Sequence, residues 1–171
     1  ARQGFVVFSY DMVGYNDSIA VPHTCAPCHA EIQAKYRESA HGAALVDGNP
    51  DVPTCIDCHS AHGIQDHGAT KWQVDVIKEC GNCHQDFIKT YRDTYHGQVT
   101  QLGFTRVATC NSCHGAHEVL PASNPKSMIS PENRVTTCRS CHPGANANFA
   151  AQPIEHPLPG AVHLPADDAA H

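Results

Sequence analysis

Residues 54–62 read TCIDCHSAH and residues 109–117 read TCNSCHGAH, two segments 55 positions apart with Cys-x-x-Cys-His inside each. The pattern occurs five times in the 171-residue chain and uses all ten cysteines: Cys25, Cys28 and His29; Cys55, Cys58 and His59; Cys80, Cys83 and His84; Cys110, Cys113 and His114; Cys138, Cys141 and His142. Two thiols one helical turn apart can form thioethers with the two vinyl groups on one edge of a porphyrin. The next residue is then placed to push an imidazole nitrogen onto the iron from one face. The pattern predicts five covalently attached haems c, each with two cysteine anchors and a proximal histidine ligand.

Paired cysteines also build zinc ribbons and disulfide frameworks. Neither needs a histidine after every second cysteine. With fourteen histidines in the chain, chance would place one there five times out of five with a probability of roughly a few in a million. Haem attachment accounts for the pattern and the rivals do not.

Aromatic residues make up only 6% of the chain, and 12 glycines stand beside 12 prolines, which is thin material for a conventional apolar core. The macrocycles are expected to supply the core instead. Sharing 171 residues among five haems leaves about 34 each, which forces the haems close together.

The formal charge is −6, and a ferric haem with two ionised propionates adds about −1, so the loaded protein would carry roughly −11 when oxidised. The eleven Lys and Arg are scattered with no polybasic run, which argues against nucleic acid or an anionic membrane surface as a partner. Redox donors and acceptors with basic docking faces are the expected partners. The longest apolar run is Phe5-Val6-Val7-Phe8, far short of the eighteen or so residues that span a bilayer. No Met precedes Ala1 and no charged-then-apolar leader is present, so an export signal is expected to have been removed.

Shifted by 55 residues, the chain lies on itself without a gap: Tyr36 on Tyr91, Ser39 on Thr94, His41 on His96, Gly42 on Gly97, Thr54 on Thr109 and His62 on His117. This reads as a duplicated two-haem unit. The expected architecture is mostly α with extensive loops, a small haem-cored protein with an N-terminal segment (1–24), two tandem dihaem modules (25–79 and 80–137) and a single-haem half-module with its tail (138–171). Helical spacing predicts helices over 30–41 and 86–96, each opened by a proximal histidine, closed by another histidine and followed by a C-terminal glycine, Gly42 or Gly97. Thr70 is a candidate N-cap for a helix running into Cys80, and Ser130-Pro131 for one delivering Cys138. The one candidate strand is Gly4 to Tyr10.

Nine histidines lie outside the motifs, and the repeat sorts them. His41 pairs with His96 and His62 with His117, so these four are the expected distal iron ligands. His62 and His117 lie three residues after their proximal histidines and project to the same side. They cannot take opposite faces of one iron, and each is expected to reach a neighbouring haem. For the remaining iron His156 is the best candidate, eighteen residues after Cys138, followed by His163, His23 and His171. Only Met12 and Met128 could ligate through sulfur and neither repeats, so low, bis-histidine potentials are expected.

The run TCNSCHGAHEVLPASNPKSMISPENRVTTCRSCHPGA (109–145), with Ser-Ala-His-Gly at 39–42 and Thr-Tyr-His-Gly at 94–97, resembles a group of bacterial and archaeal multihaem c-type cytochromes. The resemblance covers about residues 23–156. It implies electron transfer outside the cytoplasm, in the periplasm or at the cell exterior. Many members of that group carry a membrane helix after the CHPGA segment, whereas here a polar, proline-rich tail follows, which argues against an integral anchor. Some small members polymerise into extracellular nanowires, and spare histidines near both ends together with the apolar N-terminal stretch are compatible with copies of this chain as partners. The alternative is a multihaem reductase of nitrite, hydroxylamine or a sulfur oxyanion with one open iron. All five motifs end in histidine and the chain is short, which favours a carrier with no catalytic residues of its own. Mass spectrometry of the denatured coloured protein should find about 3 kDa beyond the polypeptide; a colourless protein of bare polypeptide mass would contradict the haem reading.

Overall fold

Ten helices joined by turns and loops make up the described part of the chain, residues 20–151 of the computed structural model, and no strand occurs among them. They are α1 (Ala20–Cys25), α2 (Ala30–Glu38), α3 (Ala40–Val46), α4 (Cys55–His59), α5 (Thr70–Cys83), α6 (Gln85–Asp93), α7 (Tyr95–Gln101), α8 (Cys110–His114), α9 (Arg134–Arg139) and α10 (Ala147–Ala150). The mostly helical, loop-rich class expected from the sequence is what the structure shows. The stretch from Gly4 to Tyr10, the tail from 152 onward and most of the N-terminal segment lie outside the described residues.

Most of these helices are too short to persist alone, and side chains cap the starts of α3, α4, α7, α8 and α10. Thr54 and Thr109 open α4 and α8 with capping boxes, completed by Asp57 and Ser112 respectively. The Thr54 N–H donates to Asp57 Oδ2 at 2.7 Å, and the Thr109 N–H to Ser112 Oγ at 3.1 Å. These caps hold two haem-binding motifs as rigid turns.

The sequence predicts one helix over 30–41 and another over 86–96; the structure breaks each in two. Ser39 and Thr94 take extended backbone angles, accept the N–H of Gly42 and Gly97 at 3.0 and 3.1 Å, and donate their hydroxyls to the carbonyls of Tyr36 and Tyr91 at 2.6 and 2.7 Å. A short hydroxyl side chain competes with the helical ladder and starts a new helix. His41 and His96 therefore sit in the first turn of α3 and α7, not at the ends of α2 and α6. Gly42 and Gly97 are not C-terminal caps either. They lie where the new helix crosses the old one, and a Cβ there would come within 1.9 Å of the Tyr36 carbonyl oxygen and 2.0 Å of that of Tyr91.

The tyrosines complete each bend. Tyr36 donates its hydroxyl to the Pro53 carbonyl at 2.8 Å, and Tyr91 to that of Ala108 at 2.9 Å, both seventeen residues ahead. Burial, with the nearby Cys55 thiol adding, pushes the Tyr36 hydroxyl up to about 12 and keeps it a donor. Each bond ties an α2- or α6-type helix to the residue just before a Thr cap, so the same bonds recur in both copies of the repeat.

At the start of α5 the N-cap position belongs to Ala69 and carries no side-chain bond, so Thr70 is the first helical residue and not the cap. Ser130 does fasten the approach to α9, accepting the Asn133 N–H at 3.3 Å, although the N-cap position is Asn133 itself. Asn133 Nδ2 in turn donates to the carbonyls of Pro125 and Ser127 at 2.8 and 2.9 Å, closing the loop onto the helix.

Side chains fill little of the interior. Among the described residues only Val21, Leu45, Trp72, Val76, Ile77, Tyr91, Ala145 and Ala150 form the buried apolar set, and the largest fully buried side chains are the serines 39, 127 and 130. The one cluster joins Trp72, Val76 and Ile77 of α5 to Tyr91 of α6. Gly97→Ala should lower the stability of the protein by about 2–4 kcal/mol because a backbone carbonyl cannot yield. Gly144→Ala, where nothing lies within 4 Å, should change it by less than about 0.5 kcal/mol, both read by chemical denaturation.

Candidate functional site

Each Cys-x-x-Cys-His motif occupies a helical turn. Two of them are α4 and α8 entire, Cys80 and Cys83 end α5, Cys138 lies in α9 and Cys25 ends α1. In the last three, the histidine N–H closes back onto the first cysteine's carbonyl: His84 to Cys80 at 3.0 Å, His142 to Cys138 at 2.8 Å and His29 to Cys25 at 3.0 Å. This turn puts both thiols on one side and the imidazole beside them. All ten cysteines are free of disulfide bonds.

Two pairs of thiols from different motifs meet, Cys25 with Cys55 and Cys80 with Cys110. Burial pushes Cys55 up to about 11, with Cys25 adding through charge and a hydrogen bond. Cys58 also rises to about 11 through burial, with Cys80 next in effect. Cys80 is pushed up by its hydrogen bond with Cys110 and by burial, and Cys113 by burial followed by Cys138 and Cys141. Each motif thus lies within electrostatic reach of the next one along the chain.

The histidines meet in pairs at a common separation. Ring centres of His41 and His84 are 6.1 Å apart, those of His59 and His117 6.0 Å, and those of His96 and His142 6.1 Å. The three separations agree to within 0.1 Å. One metal ion between two imidazoles, with bonds of about 2.0 Å and about 1.1 Å from each nitrogen to its ring centre, sets the centres about 6.2 Å apart. The donor set therefore fits a haem iron with two axial imidazoles.

Burial lowers the basicity of His41, His59, His96 and His117; the facing His84, His117 and His142 deepen the effect in the first three. A neutral imidazole is the form that binds metal. No group of three or more His, Cys, Asp or Glu capable of holding a metal ion occurs among the described residues. The paired histidines would hold a metal whose other ligands came from a macrocycle.

Other expected ligands are not brought to a histidine. His62 is exposed, and neither it nor His29 has an imidazole stacked or tilted against it among the described residues. His67 is exposed beside Asp66 at 3.8 Å, and His23 lies on the exposed side of α1. His156, His163 and His171 lie outside the described residues.

Aromatic neighbours of the motif histidines are absent from the sequence reading. Trp72 lies flat against His59, centres 5.1 Å apart and planes 7° from parallel; Phe87 is tilted against His84 at 5.8 Å, and Phe149 against His142 at 4.9 Å. Trp72 also lines a cavity of about 360 Å³ that borders Cys58 and His59. The 55-residue repeat could not reveal Trp72, because its counterpart is Ser127.

Residues 47–89 match the family described as the doubled CXXCH motif. Part of the chain is 28% identical over 128 residues to multiheme cytochrome MtrC of Shewanella baltica (strain OS185), a match covering 56% of this chain and 19% of that protein. The chain thus spans about a fifth of that relative's length. No solved structure matches. Motifs, family match and relative together support a multihaem c-type cytochrome, and the paired motifs indicate covalently bound haem c.

Trp72→Leu should leave the haem content unchanged and shift the paramagnetic resonance signal of one low-spin haem, because the His59 ring loses its flat neighbour. The same change should cost about 1–3 kcal/mol of stability. A spectrum identical to that of the unaltered protein would show that the indole does not orient the imidazole.

Proposed function

We propose that this protein is a pentahaem electron carrier working outside the cytoplasm, in the periplasm or at the cell exterior, in which electrons hop along five closely spaced, mostly bis-histidine haems between redox protein partners. Bound haem supplies one-electron exchange between ferric and ferrous iron. The observation that carries the reading is the set of three imidazole pairs with ring centres 6.0 to 6.1 Å apart, each joining a motif histidine to one outside the motifs.

The chain's own residues would anchor each haem edge through two thioethers and present a proximal imidazole from a capped, rigid turn. They would also close at least three irons with a second imidazole held by a different stretch of chain. An iron closed on both faces can change charge without changing ligands, and rigid ligands keep that change inexpensive in rearrangement. This arrangement supports a carrier without substrate chemistry over the reductase alternative, which needs one open iron flanked by acid and base groups. No helix among the described residues is long and apolar enough to cross a membrane, which fits a carrier that meets its partners through its surface.

Assembly of copies into an extracellular filament is a second reading, and one observation favours it. Among the described residues neither the exposed His62 nor His29 has a facing histidine. A ligand and an iron each still to be completed suit end-to-end contacts that leave the haem row open.

The ferric protein should be entirely low-spin and should not respond to nitrite, hydroxylamine or carbon monoxide. A high-spin fraction that binds any of these would favour the reductase. Negative-stain microscopy of the secreted protein should separate filaments from discrete particles.

A further inference from the structure

We propose that each of three irons is shared between stretches of chain that the repeat keeps apart. His41 would be the second axial ligand of the haem anchored by Cys80, Cys83 and His84. His117 would serve the haem of Cys55, Cys58 and His59, and His96 the haem of Cys138, Cys141 and His142. The inference rests on the haem-bound reading above and adds the identity of the ligand at each iron.

Three independent features carry it. The separations are 6.1, 6.0 and 6.1 Å, whereas aromatic neighbours of the same histidines sit at 5.1, 5.8 and 4.9 Å. Every such pair joins one motif histidine to one non-motif histidine, never two of a kind. That is the composition an iron with a proximal and a distal ligand requires.

The second feature is direction along the chain. His41 lies 43 residues before His84 and its repeat partner His96 lies 46 before His142, while His117 lies 58 after His59. The first haem of a repeat unit takes its distal ligand from the unit before, and the second haem takes its ligand from the unit after. Ligands are therefore exchanged in both directions across the boundary between 25–79 and 80–137.

The third feature needs no metal. The Ala40 N–H, one residue from His41, donates to the Val119 carbonyl, two residues from His117, at 2.8 Å. Lys35 on α2 stands 3.7 Å from Glu118. Backbone and side chain already hold the two ligand-bearing segments together, so the exchange is built into the polypeptide. It follows that the two repeat units are not separable bodies: either one excised alone would leave an iron short of a ligand.

The assignment is tested in the secreted holoprotein. His41→Met should keep all five haems by mass and introduce the red charge-transfer absorption of a sulfur-ligated low-spin haem. Adding Cys80→Ala and Cys83→Ala removes the partner haem, and the new band should then vanish. A band that persists would place His41 on another iron and overturn the assignment. His117→Met with Cys55→Ala and Cys58→Ala, and His96→Met with Cys138→Ala and Cys141→Ala, test the other two. If a haem-depleted variant is not secreted, proton NMR of the unaltered ferric protein decides instead. Hyperfine-shifted His41 ring protons should show Overhauser contacts to the haem bonded to Cys80 and Cys83, and contacts to a different haem would refute the pairing. Failure of the haem reading itself is distinct, since it would appear as a mass without bound haem before any variant is made.

Discussion

Three pairs of imidazoles held about 6 Å apart are the constraint on which the rest of the structure depends. The ring centres share one separation, 6.0 to 6.1 Å, which is the spacing two imidazoles would take on a shared iron. Such an iron would bind neutral imidazoles, the form that burial favours in His41, His96 and His117. The helices around these pairs then read as brackets. Ser39 and Thr94 break the chain to start a helix just ahead of the distal histidine, Tyr36 and Tyr91 tie the bend to the next motif, and Gly42 and Gly97 let the two helices cross closely.

The sparse apolar core follows from the same constraint. A conventional domain of this length buries large aliphatic side chains, whereas here the fully buried side chains are serines that satisfy turns. Hydroxyls that cap and close loops would suit a chain wrapped around large rigid cofactors, where cofactor contact would supply much of the stability and the polypeptide would mainly hold its shape. Alternating buried hydroxyls with short capped helices also explains why so much of the chain can be loop without losing definition: the loop from 115 to 133 is fastened by Ser127, Ser130 and Asn133 to backbone carbonyls.

The anchor residues were legible because their chemistry is local. Two thiols and an imidazole within five residues need only one helical turn, and no distant part of the chain can alter that. The repeat likewise exposed His41, His96, His62 and His117 as a set. Which iron each would face was not legible, since His41 and His84 are brought together by the packing of helices far apart in sequence. The break at Ser39 and Thr94 is not legible because a helical pattern of apolar residues continues across it, and a hydroxyl residue also occurs inside helices without ending them. Trp72 escaped for the opposite reason: it breaks the repeat, and its role is visible only once His59 lies flat beside it.

The account is tested most directly by locating the irons themselves. In crystals of the loaded protein, anomalous scattering at the iron edge should give five peaks in a single row. Three of them should fall midway between His41 and His84, between His59 and His117 and between His96 and His142. Peaks displaced from those midpoints, or rings found in direct contact with no metal between them, would contradict it.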